Sequence, residues 1–173
     1  QVISQSVSGF GNTGASPYQA WPADAAVVEA MSGIYEYKAG PDQPPTTIPV
    51  GALGDISSGL FAVIGVLAAL RHRDQTGLGQ YVDIAMYDAT VSLLEGAALS
   101  WLATGVDPGR IGNAHFSIAP FDTFACADRD ITICAANALP FGALCSALGW
   151  GPLLHDPRLA PHPPPPVPTP GAP

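Results

Sequence analysis

The segment from Leu53 to Gln80 limits what this chain can fold into more than any other. It opens on Gly54-Asp55-Ile56-Ser57-Ser58-Gly59, continues through an apolar run from Leu60 to Leu70, and closes on Thr76-Gly77-Leu78-Gly79-Gln80. Leu60, Ile64, Leu67, Ala68 and Arg71 recur at helical spacing, which predicts a helix from about Asp55 to Gln75. Phe61, Val63, Val66 and Leu70 fill its other faces, and a helix apolar on nearly every side is expected to be buried. Arg71, His72 and Arg73 suit the negative end of its dipole, with His72 expected to cap carbonyls there and Gly77 to terminate the helix in a left-handed conformation. Asp55 then stands where the first-turn N–H groups surround a carboxylate with positive potential. Such a group is either a helix cap or a nucleophile, and for a lone Asp capping is the ordinary answer.

Composition excludes several classes of protein. A chain of 173 residues is one domain or part of a larger one, and 47% hydrophobic residues predict a packed core. Only 12% of residues are charged, about half the usual share, so much of the outside is expected to be covered by another subunit or by further sequence. The net charge of −8 and the six scattered basic residues exclude a nucleic-acid-binding stripe. The run from Leu60 to Leu70 is about half of what a bilayer requires, so no membrane association is expected. Residues 1–20 have no basic start and no continuous apolar segment, so no signal peptide is expected within them. Cys126, Cys134 and Cys145 show no metal-like or disulfide-like spacing and read as reduced, buried thiols of a cytoplasmic protein.

Along the chain, Val2 to Ser8 alternates as a strand, and with no Met ahead of it the start reads as cut. Ala23 to Ser32 is a short helix ended by Gly33, and residues 34–53 are a loop carrying Pro41, Pro44, Pro45 and Pro49. Tyr81 to Met86 reads as a strand and Tyr87 to Thr104 as one further helix. Phe121 to Cys126 and Ile131 to Ala135 form a strand pair about the turn Ala127-Asp128-Arg129-Asp130, followed by a helix over Phe141 to Leu148. Residues 161–173 contain eight prolines and are expected to be polyproline II or disordered.

Other candidates are weaker. Gly9-x-Gly11-x-x-Gly14 matches the dinucleotide fingerprint as a string, but Ala15-Ser16-Pro17-Tyr18 follows where a phosphate-binding helix should open. It reads as a glycine-rich turn beside a ligand or subunit. His72, His115, His155 and His162 have no ligand-like spacing, so no metal site is expected, and Gly-x-Ser-x-Gly is absent. His115 lies in a turn. Asp24 and Asp88 read as first-turn support for their helices, and Asp83 flanks a strand–helix junction.

Taken together, Gly51-Ala52-Leu53-Gly54-Asp55-Ile56-Ser57-Ser58-Gly59, Gly65-Val66-Leu67-Ala68-Ala69-Leu70-Arg71-His72-Arg73 and Thr76-Gly77-Leu78-Gly79-Gln80-Tyr81-Val82-Asp83 resemble the family III CoA-transferases, also called the CaiB/BaiF family. Ser8 to Gly14, Glu29-Ala30-Met31-Ser32-Gly33, Ile118 to Phe124 and Asp156-Pro157-Arg158 look like blocks of the same family. The resemblance covers residues 1 to about 160.

It implies an α/β fold: residues 1–105 as the central part of a Rossmann-like large domain, 106–160 as linker and start of a small α/β domain, incomplete alone. It implies a nucleophilic Asp55 that attacks an acyl-CoA thioester, passes through an aspartyl anhydride and an aspartyl-CoA thioester, and hands CoA to a small carboxylic acid. Asp55 would stay ionised, a state that a helix N-terminus favours. CoA thioester is then the substrate, with no permanently bound cofactor. Gly9, Gly11 and Tyr18 are the candidates for touching it. The full-length form is expected to be an interlocked homodimer, and the truncated chain to be inactive alone. The family also contains 2-methylacyl-CoA racemases, whose catalytic His would precede Asp24; Ala23 stands there, which favours transfer. A non-catalytic remnant with a proline-rich tail is the remaining alternative.

Overall fold

A computed structural model describes residues 2–45, 47 and 50–159, so the proline-rich stretch 161–173 lies outside the described residues. The chain divides into two compact units, residues 1–116 and residues 117–173.

The first unit is built on two parallel strands far apart in sequence. Strand β1 (Ser4–Ser8) pairs with β2 (Tyr81–Ala85), Ser4 opposite Tyr81 and Ser8 opposite Ala85. Parallel neighbours need a long crossover. Here it contains α1 (Ala25–Ser32), α2 (Ile34–Tyr37) and the 24-residue α3 (Leu53–Thr76). After β2 come α4 (Met86–Ser92) and α5 (Glu95–Thr104). Phe10, Val28 and Met86 form the core cluster, with Ala23 and Tyr87 packed on it.

Close approach of backbones explains two glycines of α3. A Cβ on Gly54 would lie 2.8 Å from Val28 Cγ2 and 3.1 Å from Ala25 Cα, so α1 and α3 touch there without room for a side chain. A Cβ on Gly65 would lie 2.7 Å from Val82 Cγ1, which brings α3 down onto β2.

Several expectations need correction. The segment after Gly33 is not all loop: Gly33, at φ +83°, ends α1 and lets α2 begin at once. The helix expected over Tyr87 to Thr104 is two helices, broken at Leu93–Leu94 with Glu95 at φ +23°. Helix α3 begins at Leu53, two residues earlier than its periodicity indicates, so Asp55 is its third residue. Nor is α3 buried. Leu60 is 63% exposed and Leu67 60% exposed, because the described chain packs α1, α4 and the strand pair against one side only. By length and composition α3 would also suffice to cross a membrane, yet its glycine contacts are those of a helix inside a domain.

The second unit opens with the antiparallel pair β3 (Phe121–Ala125) and β4 (Asp130–Cys134), Phe121 opposite Cys134. Helix α6 (Ala138–Leu148) starts three residues ahead of expectation because the Asn137 side chain accepts the Leu139 N–H at 3.2 Å and caps it. Of the three thiols only Cys145, on α6, is buried. Cys126 and Cys134 are exposed at the ends of an open two-stranded ribbon.

Candidate active site

The first turn of α3 must satisfy backbone donors that the helix itself cannot. Its N-cap residue is Ala52, which has no side-chain acceptor. The acceptor comes instead from α1: Glu29 Oε1 takes the Gly54 N–H at 2.8 Å. Glu29 is only 3% exposed, and its second oxygen accepts from the Tyr35 hydroxyl at 2.5 Å. The hydrogen bond to Glu29, then burial, then the carboxylate charge push the Tyr35 phenol up to about 12. The Gly54 carbonyl in turn accepts from Ser57 Oγ at 3.2 Å and from Ser58 Oγ at 2.6 Å. Both serines are buried.

Asp55 follows immediately and is exposed. Among the described residues its carboxylate has no hydrogen bond or ion pair. The carboxylate that caps α3 is therefore Glu29. Asp55 is left free at the positive end of a 24-residue helix. Sequence reasoning missed Glu29 as the cap, since 25 residues separate it from Gly54 and no periodicity links them.

The glycine-rich turn after β1 is held by a second carboxylate that the spacing did not single out. Asp83 Oδ2 accepts the N–H groups of Asn12 at 2.7 Å and Thr13 at 2.8 Å, and the Thr13 hydroxyl at 2.9 Å. Asn12 Nδ2 donates to the other oxygen at 3.0 Å. Burial alone would raise the Asp83 carboxyl, but these hydrogen bonds outweigh it and hold it below the usual carboxylate range. Gly11, at φ +82°, makes the turn that brings both N–H groups round. Gly9 lies against Ala23, and its carbonyl accepts the Tyr87 N–H at 3.0 Å.

Tyr18 packs at a tilt against Phe10 (5.5 Å between centroids) and edge-on against Trp21 (4.8 Å). Together with Thr13, Ser16, Met31 and Tyr87, Phe10 and Tyr18 line a cleft of about 580 Å³. Gly9 and Gly11 shape the turn behind it but do not line it. A second cleft, of about 370 Å³, is bordered by Trp101 and by Arg110, which is paired with Glu36 at 2.6 Å. Asp55 borders neither of them.

Of the remaining candidates, His115 stacks on Phe116 at 4.5 Å. The C-terminus of α3 is closed by the Gly77 N–H on the Arg73 carbonyl and by the Thr76 hydroxyl on the His72 carbonyl, not by the His72 ring. Asp24 occupies the N-cap of α1 without a side-chain hydrogen bond, and Asp88 lies in the first turn of α4 as expected. Among the described residues no three His, Cys, Asp or Glu side chains gather as metal ligands do.

A parallel strand pair carrying helices on a long crossover defines part of an α/β domain. Residues 1–164 match CoA-transferase family III, and the chain belongs to that family. It is 42% identical over 159 residues to the acetyl-CoA:oxalate CoA-transferase of Acetobacter aceti, covering 92% of this chain and 40% of that protein. It is 38% identical to the succinyl-CoA:mesaconate CoA-transferase of Haloarcula marismortui, covering 85% of this chain and 37% of that one. Its fold matches a CaiB/BaiF family protein from Brucella suis with a TM-score of 0.71 at 39% identity, over 92% of this chain and 42% of that one. The chain therefore spans about two fifths of the length of the curated relatives it matches, and its fold is a partial CaiB/BaiF-type domain.

Proposed function

We propose that this chain is the nucleophile-bearing part of a CoA-transferase that moves CoA from an acyl-CoA thioester to a small carboxylic acid, with Asp55 as the attacking group. One Asp55 oxygen adds to the thioester carbonyl and expels CoA thiolate, leaving an aspartyl–acyl anhydride. The thiolate attacks the aspartyl carbonyl and releases the donor acid, giving an aspartyl-CoA thioester. The acceptor carboxylate attacks that thioester, forming a second anhydride and free thiolate. The thiolate then attacks the acceptor acyl carbon, which yields the new acyl-CoA and restores Asp55. Every step exchanges one acyl bond for another, so no oxidant or metal enters.

The observation that carries this reading is that Asp55 is exposed and unengaged while Glu29 does the capping. A carboxylate held by first-turn N–H groups would be less nucleophilic and fixed against the helix end, because those hydrogen bonds stabilise its charge. The named activities of the relatives, which differ in their acids but share CoA transfer, support the reaction class. An interlocked homodimer in the cytoplasm belongs to the same proposal, and the apolar outer face of α3 is in keeping with a covering surface.

Incubation with acyl-CoA donors, followed by mass spectrometry of the peptide containing Asp55, tests the chemistry. An acyl or CoA adduct on that residue is the expected result. Deuterium entering the substrate's alpha carbon without an adduct would replace transfer by racemisation, and neither signal in a full-length protein would leave a non-catalytic remnant.

A further inference from the structure

Glu29 is the one buried charged residue among the described residues, and it faces two neutral donors rather than a cation. Burying a carboxylate in that way is costly, and helix capping alone does not require it. A Ser, Thr, Asn or Asp at position 52 would cap α3 locally. The chain has Ala52 there, and the acceptor reaches across from α1 to the N–H of the residue directly before Asp55.

We propose that Glu29 is a positioning residue for Asp55, holding the Gly54 N–H so that the exposed carboxylate meets the thioester at a fixed place; this rests on the reading of Asp55 as nucleophile. Three contacts converge on Gly54. Its Cα lies against Val28 and Ala25, its carbonyl accepts from Ser57 and Ser58, and its N–H is held by Glu29. The Asp55 side chain has no restraint of its own among the described residues, so its reach is set by this backbone anchor. Tyr35 orients the acid from the other side through Oε2. Misplacing a reacting group by about 1 Å costs on the order of 10²-fold in rate, so an anchor one residue away matters to chemistry as well as to stability.

The test uses a full-length transferase of the family into which residues 1–159 are grafted, and three substitutions. Glu29→Gln keeps an acceptor for the Gly54 N–H. Glu29→Asp keeps the charge but falls short by one methylene. Glu29→Met keeps the volume and loses the acceptor. The expected result is a kcat lowered about 10- to 100-fold in the Asp and Met variants, with adduct formation on Asp55 slowed by the same factor and KM for acyl-CoA unchanged. Glu29→Gln restores most of the rate. Wild-type kcat in the Asp variant, a rise in KM alone, or a Gln variant as slow as the Asp variant would overturn the proposal. Should Met prevent folding, the Asp and Gln pair decides. Amide exchange in the chain itself gives an independent reading: Gly54 exchanges faster in Glu29→Asp than in wild type, while β2 is unaffected. Unchanged exchange at Gly54 refutes the anchor even if Asp55 forms an adduct, and absence of the adduct in the unmodified graft refutes the nucleophile whatever Gly54 does.

Discussion

Asp83 on β2 accepts the backbone N–H of Asn12 at 2.7 Å, joining residues 71 positions apart and fastening the glycine-rich turn to the middle of the parallel pair. With Thr13 supplying an N–H and a hydroxyl, one carboxylate holds a turn that otherwise has only glycine and small residues to define it.

Asp83→Asn is expected to destabilise the first unit by about 1–3 kcal/mol at neutral pH, since charge-assisted hydrogen bonds are lost and one Oδ becomes a donor. The folded-state Asp83 carboxyl lies below the usual value near 3.8, so its contribution is complete above that value. It disappears as pH falls through the depressed folded value. The stability gap between wild type and variant should therefore be constant near neutrality and shrink in acid. Urea unfolding across pH measures it, and a gap that widens in acid would contradict the assignment.

Gly54→Ala tests the closest helix contact. Helix propensity alone would favour Ala by about 1 kcal/mol. The new methyl would lie 2.8 Å from Val28 Cγ2, on a fully buried β-branched side chain with little freedom to move. Overpacking of this kind costs about 1–3 kcal/mol, so net destabilisation is expected. Adding Val28→Ala should relieve the Gly54→Ala clash, and strict additivity of the two substitutions would argue against direct contact.

Asp55→Asn should abolish the covalent adduct and lower turnover of a grafted full-length transferase by a factor on the order of 10⁴ or more, as removal of a covalent nucleophile does. The fold should survive, because the lost dipole interaction is worth about 0.3–1 kcal/mol and Glu29 still caps the helix. Circular dichroism together with the mass of the Asp55 peptide separates loss of chemistry from loss of structure.

Leu60→Glu with Leu67→Glu should change the stability of the isolated chain by no more than about 0.5 kcal/mol each, since both side chains are largely exposed. Binding of a fluorescent apolar dye should fall in the same variant. A loss of several kcal/mol would mean that this face is packed within the chain.

Helix α3, the individual strands β1 and β2, the β3–β4 hairpin and the place of Asp55 in a first turn were legible because each depends on residues close in sequence. Apolar spacing marks α3, and Gly77 marks its end. Residues 127–130 mark the hairpin between β3 and β4. The break at Leu93–Leu94 was not legible, because the apolar pattern runs through it and only the backbone at Glu95 departs from the helix. Exposure of α3 was misjudged for a related reason: composition says that a face is apolar, not whether another layer covers it.

Local pattern therefore determined which segments coil or extend, and it put an aspartate at the head of the longest helix. Only the packed chain decided what that aspartate is free to do. Folding α1 across α3 brings Glu29 to the Gly54 N–H, and the pairing of β1 with β2 brings Asp83 to Asn12. Contacts over 25 and 71 residues leave no period in the sequence, since they arise from where elements meet rather than from how each one forms.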